Sequence, residues 1–257
     1  MPEIPDLEAF SRNLTKKLKG SVLESVKANK RAKVKPSLRA ITKALAGKKL
    51  REVYRDGKQL RFRFEGNRLL GIHLMLHGEF RWATEKKPTY VVAEFSFRGK
   101  EMLWLTDFHF QANLFLDPEP SDVPDVLDSN LNASSWKKLL NSDSMIKHLL
   151  RNQDIIRGMG NAYTDEILYE AGISPFSIAS KIPPAAITAL RKAIKKVYRN
   201  AAREIEKNDP EVIGGEYRAF MKVHNSKRDK SPGGAIIHKK ASGGSKTYYT
   251  DEQVLYR

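Results

Sequence analysis

Pro2 and Glu3, with Ile4 behind them, carry the most pointed chemistry in this chain. Once Met1 is removed, Pro2 exposes a secondary amine at the N-terminus with a carboxylate directly beside it. Such an amine attacks an electrophilic sugar carbon to give an imine, and the neighbouring carboxylate moves the protons. By itself the dipeptide says little, because many chains begin Met-Pro-Glu by chance. A second candidate is the run Gln153 to Glu166, which contains Gly158-Met159-Gly160-Asn161. A Gly-x-Gly turn opening a helix lets backbone N–H groups approach a phosphate, where the helix dipole favours the anion. Asn161 adds a side-chain donor there, and Asp165 and Glu166 are acids in the early turns.

Two kinds of element must position these groups. Leu7, Phe10, Leu14 and Leu18 recur at helical spacing, so residues 6–20 form a helix that Gly20 stops. From Gly20 to Leu116 the pattern is that of strands, interrupted by one helical stretch from Pro36 to Ala46. Arg61-Phe62-Arg63-Phe64 alternates, Gly66-Asn67 makes a turn, and Leu69 to Met75 is a buried run. Tyr90 to Phe97 and Glu101 to Leu105 flank Arg98-Gly99-Lys100 as a hairpin. Residues 117–134, rich at first in Pro and Asp, read as a linker. Beyond it Ile187, Leu190, Ile194, Val197 and Ala201 mark one face of a long helix. From Val223 onward two short strand-like runs, Ala235 to His238 and Thr247 to Tyr249, flank a turn at Ser242-Gly243-Gly244-Ser245. The expected domains are therefore residues 1–116, 135–222 and 223–257, the last a hairpin extension.

Forty-six Lys and Arg against thirty Asp and Glu give a net charge of +16. The excess is concentrated: residues 11–50 hold thirteen bases and one acid, Glu24, whereas residues 117–128 hold five acids and no base. A nucleic-acid backbone is the natural partner, since each neutralised phosphate releases condensed counterions. The absence of cysteine removes disulfides, thiolate catalysis and Cys-based zinc sites. No apolar stretch approaches membrane-spanning length and no signal-peptide core is present, so a cytoplasmic, nucleoid-associated location without membrane contact is expected.

Four landmarks in order resemble the formamidopyrimidine-DNA glycosylase / endonuclease VIII family of base-excision repair enzymes. The start Met1 to Glu8 resembles the family's Pro-Glu-Leu-Pro-Glu-x-Glu. Arg55-Asp56-Gly57-Lys58 resembles its Arg-x-Gly-Lys turn. His73-Leu74-Met75-Leu76-His77-Gly78 resembles its His-Leu-Gly-Met-Ser-Gly, and residues 153–175 resemble its helix–two-turn–helix signature. The resemblance implies an α+β chain: an N-terminal helix plus β-sandwich, then a helical helix–two-turn–helix domain with a β-hairpin finger. Damaged double-stranded DNA and abasic-site DNA are the implied partners, met by a monomer.

Residue by residue, the resemblance makes Pro2 the nucleophile at C1′ and Glu3 the proton shuttle. Lys58 would meet phosphates around the lesion. Asn161, with Gly158 and Gly160, would grip a phosphate next to the extruded nucleotide. His73 would join the DNA contacts, and Leu76 would be an apolar plug for the vacated base position. Glu166 would tie the motif together. Asp6 stands where the family has glutamate. Departures follow a pattern too. The finger's four zinc cysteines fall at Lys230, Gly233, Thr250 and Gln253, so no zinc and no other cofactor is expected; packing of Ile237, Tyr248 and Tyr249 would hold a zincless finger. Ser245 replaces the finger arginine, with Lys246 adjacent as a substitute cation. Asp107-Phe108-His109-Phe110 lacks the arginine that reads an opposite cytosine, leaving His109 or Phe110 to make a different contact. The short 215–223 passage is more like the endonuclease VIII branch, which prefers oxidised pyrimidines. The implied activity is base excision through an imine and strand cleavage by β,δ-elimination. An abasic-site lyase with weak base excision, or a catalytically silent DNA binder, remain the rivals.

Overall fold

The computed structural model describes residues 1–84, 86–242 and 245–257; the expected Gly243-Gly244 turn lies outside them. Contacts divide the chain into two units. One comprises residues 1–120 with 205–216, the other residues 121–204 with 217–257. The boundary falls inside the expected linker, but residues 205–216, expected in the helical domain, go with the first unit.

The first unit opens with helix α1 (Ile4–Leu18). It starts two residues earlier than its apolar spacing indicates. Pro5 sits in the first turn, where no intrahelical partner for its missing N–H would exist anyway. Glu3 and Asp6 close a reciprocal capping box ahead of it, with Glu3 N–H donating to Asp6 Oδ2 at 2.9 Å. The expected stripe of Leu7, Phe10, Leu14 and Leu18 is buried.

Ten strands and helices follow in this unit's chain order. They are β1 (Leu23–Ala28), β2 (Lys33–Lys35), α2 (Leu38–Leu45), β3 (Leu50–Asp56), β4 (Gln59–Phe64), β5 (Leu69–His73), β6 (Glu79–Trp82), β7 (Val91–Phe97), β8 (Leu103–Thr106) and β9 (Asn113–Leu116), closed by the 205–216 return. The strands form a four-stranded sheet, β1-β7-β8-β6, and a five-stranded sheet, β2-β9-β5-β4-β3. Phe62 of β4 meets Phe80 and Phe95 of the other sheet at ring distances of 5.8 and 6.5 Å, so aromatic burial joins the two faces into a sandwich. The alternation of β4 breaks at Arg61, which is buried and paired with Asp56 at 3.1 Å. Gly71 opposite it leaves room for that pair: a Cβ would lie 2.9 Å from both Arg61 Nη1 and Pro118 Cγ, so one of them would have to shift. Asp117, expected in the linker, is pinned to the sheet instead, accepting the Leu69 N–H at 2.8 Å and pairing with Arg68.

In the second unit, α3 (Ala133–Leu139), α4 (Ile146–Arg151), α5 (Asn161–Glu170) and α6 (Pro184–Asn208) precede the hairpin β10 (His238–Ser242) and β11 (Ser245–Tyr249). α6 runs through Glu204 in this unit and ends in the first. Ile187, Leu190, Ile194 and Ala201 are buried as their spacing predicts. Val197 is half-buried, and Tyr198 takes its place in the core. β10 begins at His238, where the expected strand ended; ahead of it Ile236 makes only an isolated bridge to Lys230. None of the described helices is long and apolar enough to cross a membrane.

Candidate active site

The chemistry-bearing residues of the first unit gather at one end of its five-stranded sheet. Thr15 of α1 exchanges hydrogen bonds with the Val53 backbone at 2.7 and 2.9 Å, and Glu8 pairs with Arg55 at 3.4 Å. The helix therefore runs antiparallel to β3, and its N-terminus points toward the turn that follows Asp56. Pro2 and Glu3 are carried there, both buried, Glu3 at 3% exposure. The Met1 amine pairs with the carboxylate of Glu216. Gly214 fixes that return segment on β6; a Cβ there would lie 2.4 Å from the Phe80 carbonyl oxygen.

Gly57 and Lys58 form the two-residue loop between Asp56 and Gln59, with Gly57 at φ +58°. A positive φ at the first loop position suits the twist of the flanking strands and explains the glycine. The next register rows place Gln59 opposite His73, and His73 opposite Asn113. Lys58 and His73 are thus brought together at the sheet end. Burial, and then the Lys58 charge, push the His73 imidazole down to about 4. It is neutral near pH 7. Its Nδ1 accepts the Met75 N–H at 2.9 Å, which leaves the proton on Nε2 as a donor.

Directly after His73 the chain turns sharply between Leu74 and Gly78, whose N–H donates to the Leu74 carbonyl at 2.8 Å. Leu76 stands on this loop at 61% exposure. Beside it is an aromatic group that the sequence did not resolve. Phe108 lies 4.3 Å from the rings of both His77 and His109, and is 53% exposed. Asp107 shapes its loop by accepting the N–H groups of His109, Gln111 and Ala112 at 2.8–2.9 Å. Phe110 turns inward at φ +55°, buried under the Arg31 guanidinium. Of the two residues expected to supply a contact here, His109 faces outward and Phe110 does not.

In the second unit Gly158, at φ +101°, shapes the turn before α5, and Gly160 is that helix's N-cap. Gln153 braces the turn, accepting the Gly158 N–H at 3.0 Å and donating to the Met159 carbonyl at 3.0 Å. Asn161 opens α5, but its Nδ2 donates to the Lys246 carbonyl at 3.0 Å. Asn161 and Lys246 are therefore joined, with the Lys246 side chain exposed. Asp165 and Glu166 are not solvated early-turn acids. Glu166 accepts the N–H groups of Lys222, Val223 and His224 at 2.7–2.8 Å, tying the motif to the segment that leads into the hairpin. Asp165 is buried against Lys147.

The four positions where the family's finger holds cysteines do not fit zinc. Thr250 N–H donates to Gln253 Oε1 and Gln253 Nε2 donates to the Ile173 carbonyl, both at 2.8 Å. A Cβ at Gly233 would lie 2.1 Å from Glu252 Oε1. Neither sulfur nor imidazole is offered at those positions. Among the described residues no group of three or more His, Cys, Asp or Glu is placed to hold a metal ion. Val223, Ile237 and Tyr248 form a buried apolar cluster under the hairpin, with Tyr169 packed against it, while Tyr249 meets the Phe176 ring edge-on at 4.9 Å.

Comparison with known proteins matches this geometry. Residues 1–111 match the profile described as Formamidopyrimidine-DNA glycosylase N-terminal domain, and residues 122–209 that of the Formamidopyrimidine-DNA glycosylase H2TH domain. Formamidopyrimidine-DNA glycosylase of Lactobacillus acidophilus is 29% identical, with all of both chains covered. That of Carboxydothermus hydrogenoformans is 29% identical over 87% of this chain and 88% of the relative. The fold is similar to that of Lactococcus lactis Fpg solved in complex with abasic-site DNA (TM-score 0.86, 22% identity, 98% and 99% covered). It is equally similar to the same protein solved with DNA containing an oxidised pyrimidine (TM-score 0.86, 23% identity, 98% and 99% covered). With two domain profiles of one family matched in order over residues 1–111 and 122–209, the chain belongs to the formamidopyrimidine-DNA glycosylase family of DNA-repair enzymes.

Proposed function

We propose that this protein is a bifunctional DNA glycosylase and abasic-site lyase that removes oxidised bases. Pro2, freed of Met1, attacks C1′ of the damaged nucleotide; the bond from C1′ to the base breaks, and the base leaves as Glu3 protonates the opening sugar ring. The resulting cationic Schiff base (an iminium, since Pro2 is a secondary amine) accepts the electrons as the strand loses the 3′ and then the 5′ phosphate, with Glu3 assisting the proton transfers. Lys58 and the Nε2–H of neutral His73 meet the phosphates around the lesion. The partner is damaged double-stranded or abasic-site DNA, as in the solved relatives, bound by a monomer with a zincless finger.

One observation carries this reading: Pro2-Glu3, Lys58 and His73 converge on a single sheet end although they are scattered through the first 73 residues. Leu76 and Phe108, exposed on adjoining loops at that end, supply apolar surface to fill the place of an extruded base. The test is borohydride trapping on abasic-site DNA. A covalent adduct is expected with the mature protein and its loss with Pro2→Gly carrying a blocked N-terminus. Absence of the adduct in the mature protein, or an undiminished one in that variant, refutes Pro2 as nucleophile.

A further inference from the structure

A hairpin finger whose metal positions are closed by Thr250 and Gln253 must be aligned by something else. The buried centre of the second unit supplies a candidate. Lys147 of α4 is 3% exposed, and the Asp165 side chain of α5 is fully buried; Nζ lies 2.6 Å from Asp165 Oδ1. The same ammonium donates to Thr247 Oγ1 at 2.9 Å and to the Lys246 carbonyl at 3.3 Å. Asp165 Oδ2 accepts the Tyr248 N–H at 3.0 Å and lies 2.8 Å from His224 Nδ1. Three consecutive residues of β11 thus hang on one buried ion pair. Two neighbouring donors complete the attachment: Asn161 Nδ2 to the Lys246 carbonyl, and Arg151 Nη1 to Ser245 Oγ at 2.7 Å.

Burying two charges costs several kcal/mol, and well-packed apolar residues often replace such a pair without loss of stability. What an ammonium and a carboxylate add is direction: each fixes hydrogen-bond partners in space, as an apolar contact does not. We infer that the Lys147–Asp165 pair is a metal-free latch that positions β11, so that the exposed Lys246 is presented to a DNA phosphate alongside the N-terminus of α5. Lys147 is here a positioning residue, acting through Lys246. The inference rests on the reading of Lys246 as a phosphate contact.

The decisive experiment measures DNA affinity against salt concentration in a double-mutant cycle. One phosphate contact contributes about 0.9 to the slope of log K against log salt. Lys246→Ala is expected to lower the slope by about that amount in the otherwise unaltered protein, and to change nothing once Lys147→Met is present. Thr247→Val removes one anchor of the latch while leaving both charges buried and paired. It serves where Lys147→Met does not fold by circular dichroism, and should reduce the Lys246 contribution in the same direction. A Lys246 effect that persists in full beside folded Lys147→Met or Thr247→Val overturns the latch alone. A Lys246→Ala slope unchanged in the unaltered protein removes the phosphate contact and the inference with it.

Discussion

The two units hold their working residues in opposite ways. In the first, an aromatic sandwich around Phe62, Phe80 and Phe95 makes the scaffold, and the reactive groups stand at its rim, on a helix start, a two-residue turn and two short loops. In the second, the residues that present Lys246 and Asn161 are held by buried charge, with Lys147, Asp165 and Glu166 at the centre and a small apolar cluster of Val223, Ile237 and Tyr248. Apolar packing is tolerant of direction, which suits a rim whose proposed lesion-contacting side chains depart from the family pattern. Charged hydrogen bonds are not tolerant, which suits the proposed metal-free alignment of the finger.

The sharpest way to break this contrast is Asp165→Leu. It leaves the Lys147 ammonium buried without its counterion, and urea unfolding should show a loss of about 3–5 kcal/mol. Adding Lys147→Met should restore most of that stability; if it does not, the pair is essential for stability and not only for aim.

His73 offers the next test. Its folded pKa of about 4 lies below the ordinary 6.5, so between those values the unfolded chain takes up a proton that the folded chain refuses. Stability should therefore be fully present above pH 6.5 and fall as pH drops toward 4, by a ceiling of about 3 kcal/mol that partial solvent exposure of the ring reduces. His73→Asn should flatten that limb of a melting-temperature profile. An unchanged limb would mean that another group governs it.

The smallest effect on folding belongs to Phe108→Ser, expected within about 0.5 kcal/mol because the ring is mostly solvated. The same change should weaken binding to DNA carrying an abasic site by about 1–3 kcal/mol through lost base stacking. Equal binding by both proteins would assign the filling of the vacated base position to Leu76 alone.

Much of this architecture was legible in the sequence. The stripe Leu7, Phe10, Leu14, Leu18 gave α1, the Gly57-Lys58 and Gly99 turns gave hairpins, and the Gln153–Pro175 string gave the helix–two-turn–helix motif. What the residues concealed was partnership. Nothing in the sequence singles out Lys147, between Ile146 and His148, and Asp165 reads as an early-turn acid; only the fold brings them together. Asp6 was equally opaque, since its role depends on Glu3 adopting the N-cap conformation. Nor could alternation tell which of Phe108 and Phe110 faces outward, because the loop departs from strand geometry at Phe110. Arg61 broke the expected in–out pattern of β4 for a similar reason: Asp56, across the hairpin turn, makes its burial possible.

The row that joins Gln59, His73 and Asn113 has a final consequence, which is one of parity. The row beneath it pairs Leu60, Ile72 and Leu114, all fully buried. Because a strand alternates its faces, sliding β5 by a single residue would exchange the two rows, sending the imidazole into the sandwich and an isoleucine to the rim. A chain that mispairs in this way forfeits its core in the same step as its chemistry. Folding errors at this sheet end are thereby self-rejecting, because a molecule with Ile72 in the place of His73 would have given up its buried row.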